Sequence, residues 1–252
     1  MINVVIINNV PASESGLAAA LTPTWLDRCA TALTIQLLQH VAPYWAYALD
    51  SSVRVGSGPA DLEVGDNPCN IIASAGGGNA EAWHDDELNG VPDAFLVLDQ
   101  CRSLDDATSG MSHEFCEIAG NPQCVSWVTA PSGIVLPSGL VAGKQIAHEI
   151  SDPVQDRGYT IDLGDGQAGI YVSDFVLPAY FDLTLTGPTT YGEAALGLPR
   201  VDPFGRTDGG YQIARNPDGT GEADVFGAEP RWSKLARARS RPRRIRHHGR
   251  QP

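Results

Sequence analysis

Several things are missing from this chain of 252 residues, and each absence removes a class of protein. No stretch approaches the roughly 18 consecutive apolar residues that a membrane helix requires, so no helical membrane span is expected. The start, "MINVVIINNVP", is apolar but short and lacks a positively charged leader region. It reads as a first β-strand rather than a secretory signal, and a cytoplasmic rather than secreted location is expected. Cysteine is sparse: Cys29, Cys69, Cys101, Cys116 and Cys124 are odd in number, and none sits in a CxxC pair. Cys116 and Cys124 are close enough in sequence for a disulfide, but the default reading is a reduced compartment. The glycines of "GGG", 76–78, are not followed by the Lys and helix of a phosphate loop, so they read as a flexible turn. "DLGDGQ", 162–167, lacks the remaining ligand positions of a calcium loop and reads as a hairpin turn. No internal repeat and no long low-complexity stretch is visible.

Basic residues are nearly absent from the body and acidic ones from the end. Residues 1–230 hold 8 Lys/Arg against 30 Asp/Glu, a balance of −22. Residues 231–252 hold 9 Lys/Arg and no acid, a balance of +9. An acidic globule therefore ends in a basic tail, "RWSKLARARSRPRRIRHHGR". Such a tail suits an acidic partner protein or nucleic-acid phosphates, and it equally suits a solvated, disordered end. Its near-alternate arginines do not form a helical recognition face, so contact with nucleic acid would be to phosphates.

What is present is a core and a clear order of elements. Hydrophobic residues make up 42% of the chain, enough to bury one large domain. "NVVIIN", 3–8, is a candidate buried strand. Leu26, Cys29, Ala30, Leu33, Leu37 and Val41 recur at helical spacing, with Thr24 as N-cap and Pro43 as terminator. Residues 45–55 alternate like a strand, and 69–75 and 94–99 read as strands. The intervening 76–93, Gly-rich and then acidic, reads as an exposed connection, with His84 expected in solvent and a cleft position the alternative. A second helix follows at 103–119, capped by Ser103 with Asp106 three residues on, and stopped by Gly120, Asn121 and Pro122. Beyond it, 123–185 holds short apolar runs, of which 170–181 is the clearest strand, and 186–222 is loop- and hairpin-like. This order predicts an α/β (α+β) fold with helices on a mixed sheet. Its expected parts are an N-terminal subdomain at 1–122, a β- and loop-rich subdomain at 123–222 that completes the site, and a basic tail at 223–252.

The chemistry concentrates in "GMSHEFCEIAGNP", 110–122. Leu104, Ala107, Met111, Phe115 and Ile118 form one apolar stripe, which places His113 and Glu117 together on the opposite face, one turn apart. Gly110 shares that face and clears space above it; Glu114 lies to one side. Two ligands at i and i+4 with a neighbouring carboxylate form the pattern that holds a metal ion and handles its water. The same pair at i, i+4 is also an ordinary helix-surface interaction. Glu117 stands where zinc peptidases have a second His. A His/Glu/Glu set neutralises the ion further, weakens it as a Lewis acid and tolerates harder ions than zinc. The third ligand is expected from "AHEISDPVQD", 147–156: Glu149 as ligand and Asp152 behind it, with His148 the competing choice.

"SHEFCEIAGNP" resembles the S-H-E-x-x-E-x-x-x-(D/N)-P signature of a zincin-like group of bacterial and tailed-phage proteins. "LTIQLLQHVAPYW", "AEAWHDDELNGVPDAFLVL", "HEISDPVQDRGYTID…GIYVSDFVLPAYF" and "DPFGRTDGGYQI" resemble further segments of that group, and a related pairing occurs in plant EXORDIUM-like proteins. The likeness covers roughly residues 1–213 and leaves out the tail. Trp83 stands where a Tyr is common, and Ser151 where a Cys is common. The resemblance implies a zincin-like fold whose edge strand borders the cleft, with an active-site helix after it. By position it implies His113 and Glu117 as metal ligands, Glu114 as general base, and Glu149 and Asp152 as the downstream acidic pair. It also implies two functions: a zinc (or other divalent metal) peptidase acting on peptide or protein substrates, or a virion structural, decoration or adaptor protein that contacts other virion proteins and whose metal site is structural or vestigial.

Overall fold

The computed structural model describes residues 2–11, 13–14, 16–75, 80–88, 91–132 and 143–226. The glycine run at 76–78 and the basic tail at 231–252 lie outside the described residues. The architecture is α+β, with a mixed sheet, helices on it and a second, β-rich part.

The first strand is β1 (Asn3–Asn8). Val4, Val5, Ile6 and Ile7 are all buried, so both faces of this strand are covered, as its unbroken apolar run requires. After a short helix α1 (Leu17–Ala20) comes α2 (Pro23–Ile35). Its N-cap is Thr22, whose Oγ1 accepts from Trp25 N at 3.2 Å, rather than the expected Thr24. The reason is Pro23, which takes the first helical position, where no N–H is needed. The helix runs on into a π-helical turn, Gln36–Val41, before Pro43. The stretch 45–55 divides into a 3-10 turn at Ala46–Ala48 and the strand β2 (Ser52–Gly56). Then follow β3 (Asp66–Ile72), β4 (Ala82–Leu88) and β5 (Val91–Val97). The strand order is β2-β1-β3-β5-β4. The first four are parallel, and β4 closes the edge antiparallel to β5. The segment expected as an exposed connection is therefore largely strand. The acidic run from Asp85 obscured a strand whose one edge needs no apolar partner.

Helix α3 (Leu104–Gly120) starts and stops as the sequence predicts. Ser103 Oγ accepts from Asp106 N at 3.0 Å, and Asp106 Oδ2 accepts from Arg102 N at 2.9 Å. Its environment differs from the prediction. Besides the apolar stripe, Thr108, Ser112, Glu114 and Glu117 are buried, so the helix is enclosed and has no broad solvent face. Gly110 faces the sheet: a Cβ there would sit 3.0 Å from Leu96 Cδ1 and 3.5 Å from Ala82 Cβ. The glycine thus lets α3 close onto β4 and β5. On the other side Ser112 Oγ donates to Gln36 Oε1 at 2.7 Å and accepts from Ser173 N at 2.9 Å.

The remaining elements are β6 (Trp127–Thr129), β7 (Gln145–Ala147), β8 (Gly158–Ile161), β9 (Ile170–Ser173), α4 (Pro178–Phe181), α5 (Tyr191–Leu196), β10 (Tyr211–Arg215) and β11 (Ala223–Phe226). Strands β11-β10-β7-β6 form an antiparallel sheet, and β8-β9 form a hairpin. "DLGDGQ" is the loop of that hairpin, as expected, and Asp165 in it meets Arg28 of α2 at 2.7 Å. The run 170–181 is strand only to Ser173, because Pro178 opens the helical turn α4. Helix α5 falls in the stretch expected as loop and hairpin. Buried apolar residues from β1, α2, α3, β7, β9 and β10 belong to one core cluster. No helix among the described residues is long and apolar enough to cross a membrane.

Candidate metal centre

Where α3 is pressed between the sheet and the second part, ionisable side chains converge. From α3 come His113, Glu114 and Glu117; from β4, His84; from the segment after β7, Glu149 and Asp152. All four carboxylates are 5% exposed or less. With all four carboxylates ionised and both imidazoles protonated, two negative charges would remain uncompensated within this group. Burying unbalanced charge is costly unless it is neutralised by protons or a cation.

His113 Nε2 lies 3.0 Å from Glu117 Oε1 and 3.1 Å from Asp152 Oδ1. One N–H serves only one of these oxygens. Glu117 Oε1 has only this shared imidazole, and Asp152 Oδ2 is buried without a hydrogen-bond partner. Donor atoms of His113, Glu117 and Asp152 all lie within 4.8 Å of one another. Around a tetrahedral zinc with bonds of about 2.0–2.2 Å, neighbouring ligand atoms sit about 3.3–3.6 Å apart, so this donor set fits such an ion. Asp152, expected behind the ligands, is thus the carboxylate against His113. Glu149 instead approaches His84 Nε2, at 3.9 Å. His148 points elsewhere: its Nδ1 is 3.0 Å from Gly120 O, and its ring packs against Trp45 and Phe181.

The electrostatics follow from this crowding. Burial pushes the Glu117 carboxyl up, but the His113 and His84 imidazoles overcome that and hold it well below the usual carboxylate range. Burial, with Glu117 and Glu149 nearby, drives the Asp152 carboxyl well above it. Burial disfavours charge on His113, yet Glu117 and Asp152 raise its basicity well above that of a free imidazole.

His84 was expected in solvent, and it is 3% exposed. It pairs across β4/β5 with Ala94, on the face that meets α3. Its Nδ1 is 3.0 Å from Glu114 Oε2 and 3.4 Å from Glu117 Oε2. Its Nε2 is 3.0 Å from Cys124 Sγ. Nothing in a lone His inside an acidic run announces this. Cys124 is also a missed neighbour of the cluster. All five cysteines are free, so the Cys116–Cys124 disulfide does not form.

No family model, no curated protein and no solved structure matches the chain.

Proposed function

We propose that the chain is a divalent-metal hydrolase of the peptidase type, with His113, Glu117 and Asp152 holding zinc. The observation that carries this reading is the convergence of three donors in which one His113 nitrogen faces two carboxylate oxygens and Asp152 Oδ2 lacks a hydrogen-bond partner. The resemblance to zincin-like proteins supports it further. β4 is an antiparallel edge strand beside the site helix, the layout that resemblance implies for holding an extended peptide.

A zinc ion bound there supplies Lewis acidity and a water made acidic enough to attack at neutral pH. The chain's own residues do the rest. Asp152 and Glu117 flank the His113 ring and set its orientation. Glu114, next to His113 in sequence, accepts from His84 Nδ1, which fixes the carboxylate that would take the proton from the attacking water. His113, with a side chain 13% exposed, is the most open of the three proposed ligands and marks the side facing solvent.

The test is metal content and hydrolysis of an unfolded protein, for wild type and Glu114→Gln. The reading requires zinc in both and activity in wild type alone. A chain that takes up no divalent metal under any condition refutes it. Burial of the four carboxylates favours a second reading, an ion held for stability rather than chemistry, which would suit the virion structural or adaptor role that the resemblance implies. Bound zinc that raises the melting temperature without any hydrolysis would assign a structural ion instead.

A further inference from the structure

We propose a second metal site in the same cluster, made of His84, Cys124 and Glu149, that binds a thiophilic divalent cation such as zinc. It shares no ligand with the His113, Glu117 and Asp152 set, so it stands or falls independently of the hydrolase reading.

Donor atoms of the three residues lie within 4.8 Å of one another. His84 Nε2 is 3.0 Å from Cys124 Sγ and 3.9 Å from Glu149 Oε2, which brackets the ligand separations of a tetrahedral ion. The residues come from three separate segments: a sheet edge, the loop after α3 and the segment after β7. Chance neighbours within one helix or turn do not explain them.

Each ligand is also held from behind. The His84 ring puts Nδ1 toward Glu114 Oε2 at 3.0 Å, which leaves Nε2 as the coordinating nitrogen. A carboxylate on the far nitrogen sets the tautomer and makes the imidazole a better ligand. Asn121 Nδ2 donates to Glu149 Oε1 at 3.3 Å, so Oε2 is the oxygen turned toward His84. Asn121 Oδ1 in turn accepts from Val125 N at 3.1 Å and Ser126 N at 2.9 Å. One side chain therefore orients Glu149 and pins the loop that carries Cys124. Cys124 itself adopts a left-handed backbone, φ 52°, which is uncommon for a residue with a Cβ. An imidazole, a thiolate and a carboxylate together favour zinc over magnesium or calcium. On binding, the Cys124 thiol and the Nε2–H of a protonated His84 give their protons to solvent, the sulfur and Nε2 bond the ion, and His84 keeps its Nδ1 hydrogen.

The experiment is a cobalt(II) titration of the full, reduced, chelator-stripped chain, followed by absorption. Wild type should develop a thiolate-to-cobalt charge-transfer band in the near ultraviolet. Cys124→Ser should lose it, and His113→Ala, which damages only the other set, should keep it. Glu114→Gln should weaken the affinity behind that band by about 10–100-fold. A wild type without the band, or a Cys124→Ser chain that retains it, overturns the proposal. As a check that needs no variant, zinc should slow iodoacetamide labelling of Cys124 at least tenfold, read by mass spectrometry. Equal labelling with and without zinc also overturns it.

Discussion

At the scale of single residues, Asp152 separates the ligand set expected from the sequence from the one proposed on the structure. Its Oδ1 is 3.1 Å from His113 Nε2, while Glu149 is turned toward His84 and Asn121. Asp152→Asn should therefore weaken zinc binding at the His113 set at least tenfold, and Glu149→Gln should leave that set's affinity unchanged. Competition with a chromophoric chelator in a Cys124→Ser background, where the second site is disabled, measures both, and the opposite ranking would restore Glu149 as the third ligand. A residue away from the cluster gives a pH prediction. His40 stacks on Tyr191, contacts Tyr159 Oη at 2.9 Å, and has its pKa lowered from 6.5 by burial. Both groups facing it are neutral phenols, so nothing there rewards a positive charge. The folded state then binds fewer protons than the unfolded one just below pH 6.5. This contribution to stability is present above that pH and is lost as the pH falls through the folded-state value. His40→Gln should reduce the loss of stability between about pH 7.5 and about pH 5.5, measured by urea unfolding. An unchanged difference would show that the ring is no more buried in the folded chain than in the unfolded one.

At the scale of elements, α3 is where the sequence was most legible. Its cap, its stop and its apolar stripe are local features, set by residues within a turn of one another. Ser103→Ala should cost about 1 kcal/mol in chemical denaturation, because the first turn loses its side-chain acceptor. Gly120 shows the other kind of constraint. A Cβ there would lie 2.7 Å from Ile150 Cγ2, in the segment that carries Glu149 and Asp152. Gly120→Ala should cost about 1–3 kcal/mol by overpacking, with zinc affinity falling as well because that segment must shift. A stable variant with full affinity would mean that the segment adjusts freely. The element that was not legible is β4. Propensity rules favour strands rich in β-branched and aromatic residues, and an edge strand with a run of acids violates them. What keeps it in the sheet is pairing with β5 and the stacking of Trp83 on Phe95, at 4.9 Å between ring centroids.

At the scale of the whole molecule, the buried acidic cluster links metal binding to stability. A cation that binds only the folded chain stabilises it by about 2.7 kcal/mol at a hundredfold excess over its Kd. Chelator should therefore lower the melting temperature, and zinc should restore it. Asp152→Asn combined with Cys124→Ser should remove the response, whereas a wild type indifferent to chelator would mean that protons alone neutralise the cluster. The sequence by itself determined the α+β class, the limits of α3, the hairpin at 162–167, and the residues of the two acidic blocks, because periodicity, caps and turn chemistry act over a few residues. Only the tertiary structure decided that α3 is enclosed on nearly every side, that Asp152 is the residue against His113, and that His84 and Cys124 enter the cluster. Those facts depend on which strand lies at the sheet edge and how closely a glycine lets a helix approach it, and contacts across that distance leave no pattern along the chain.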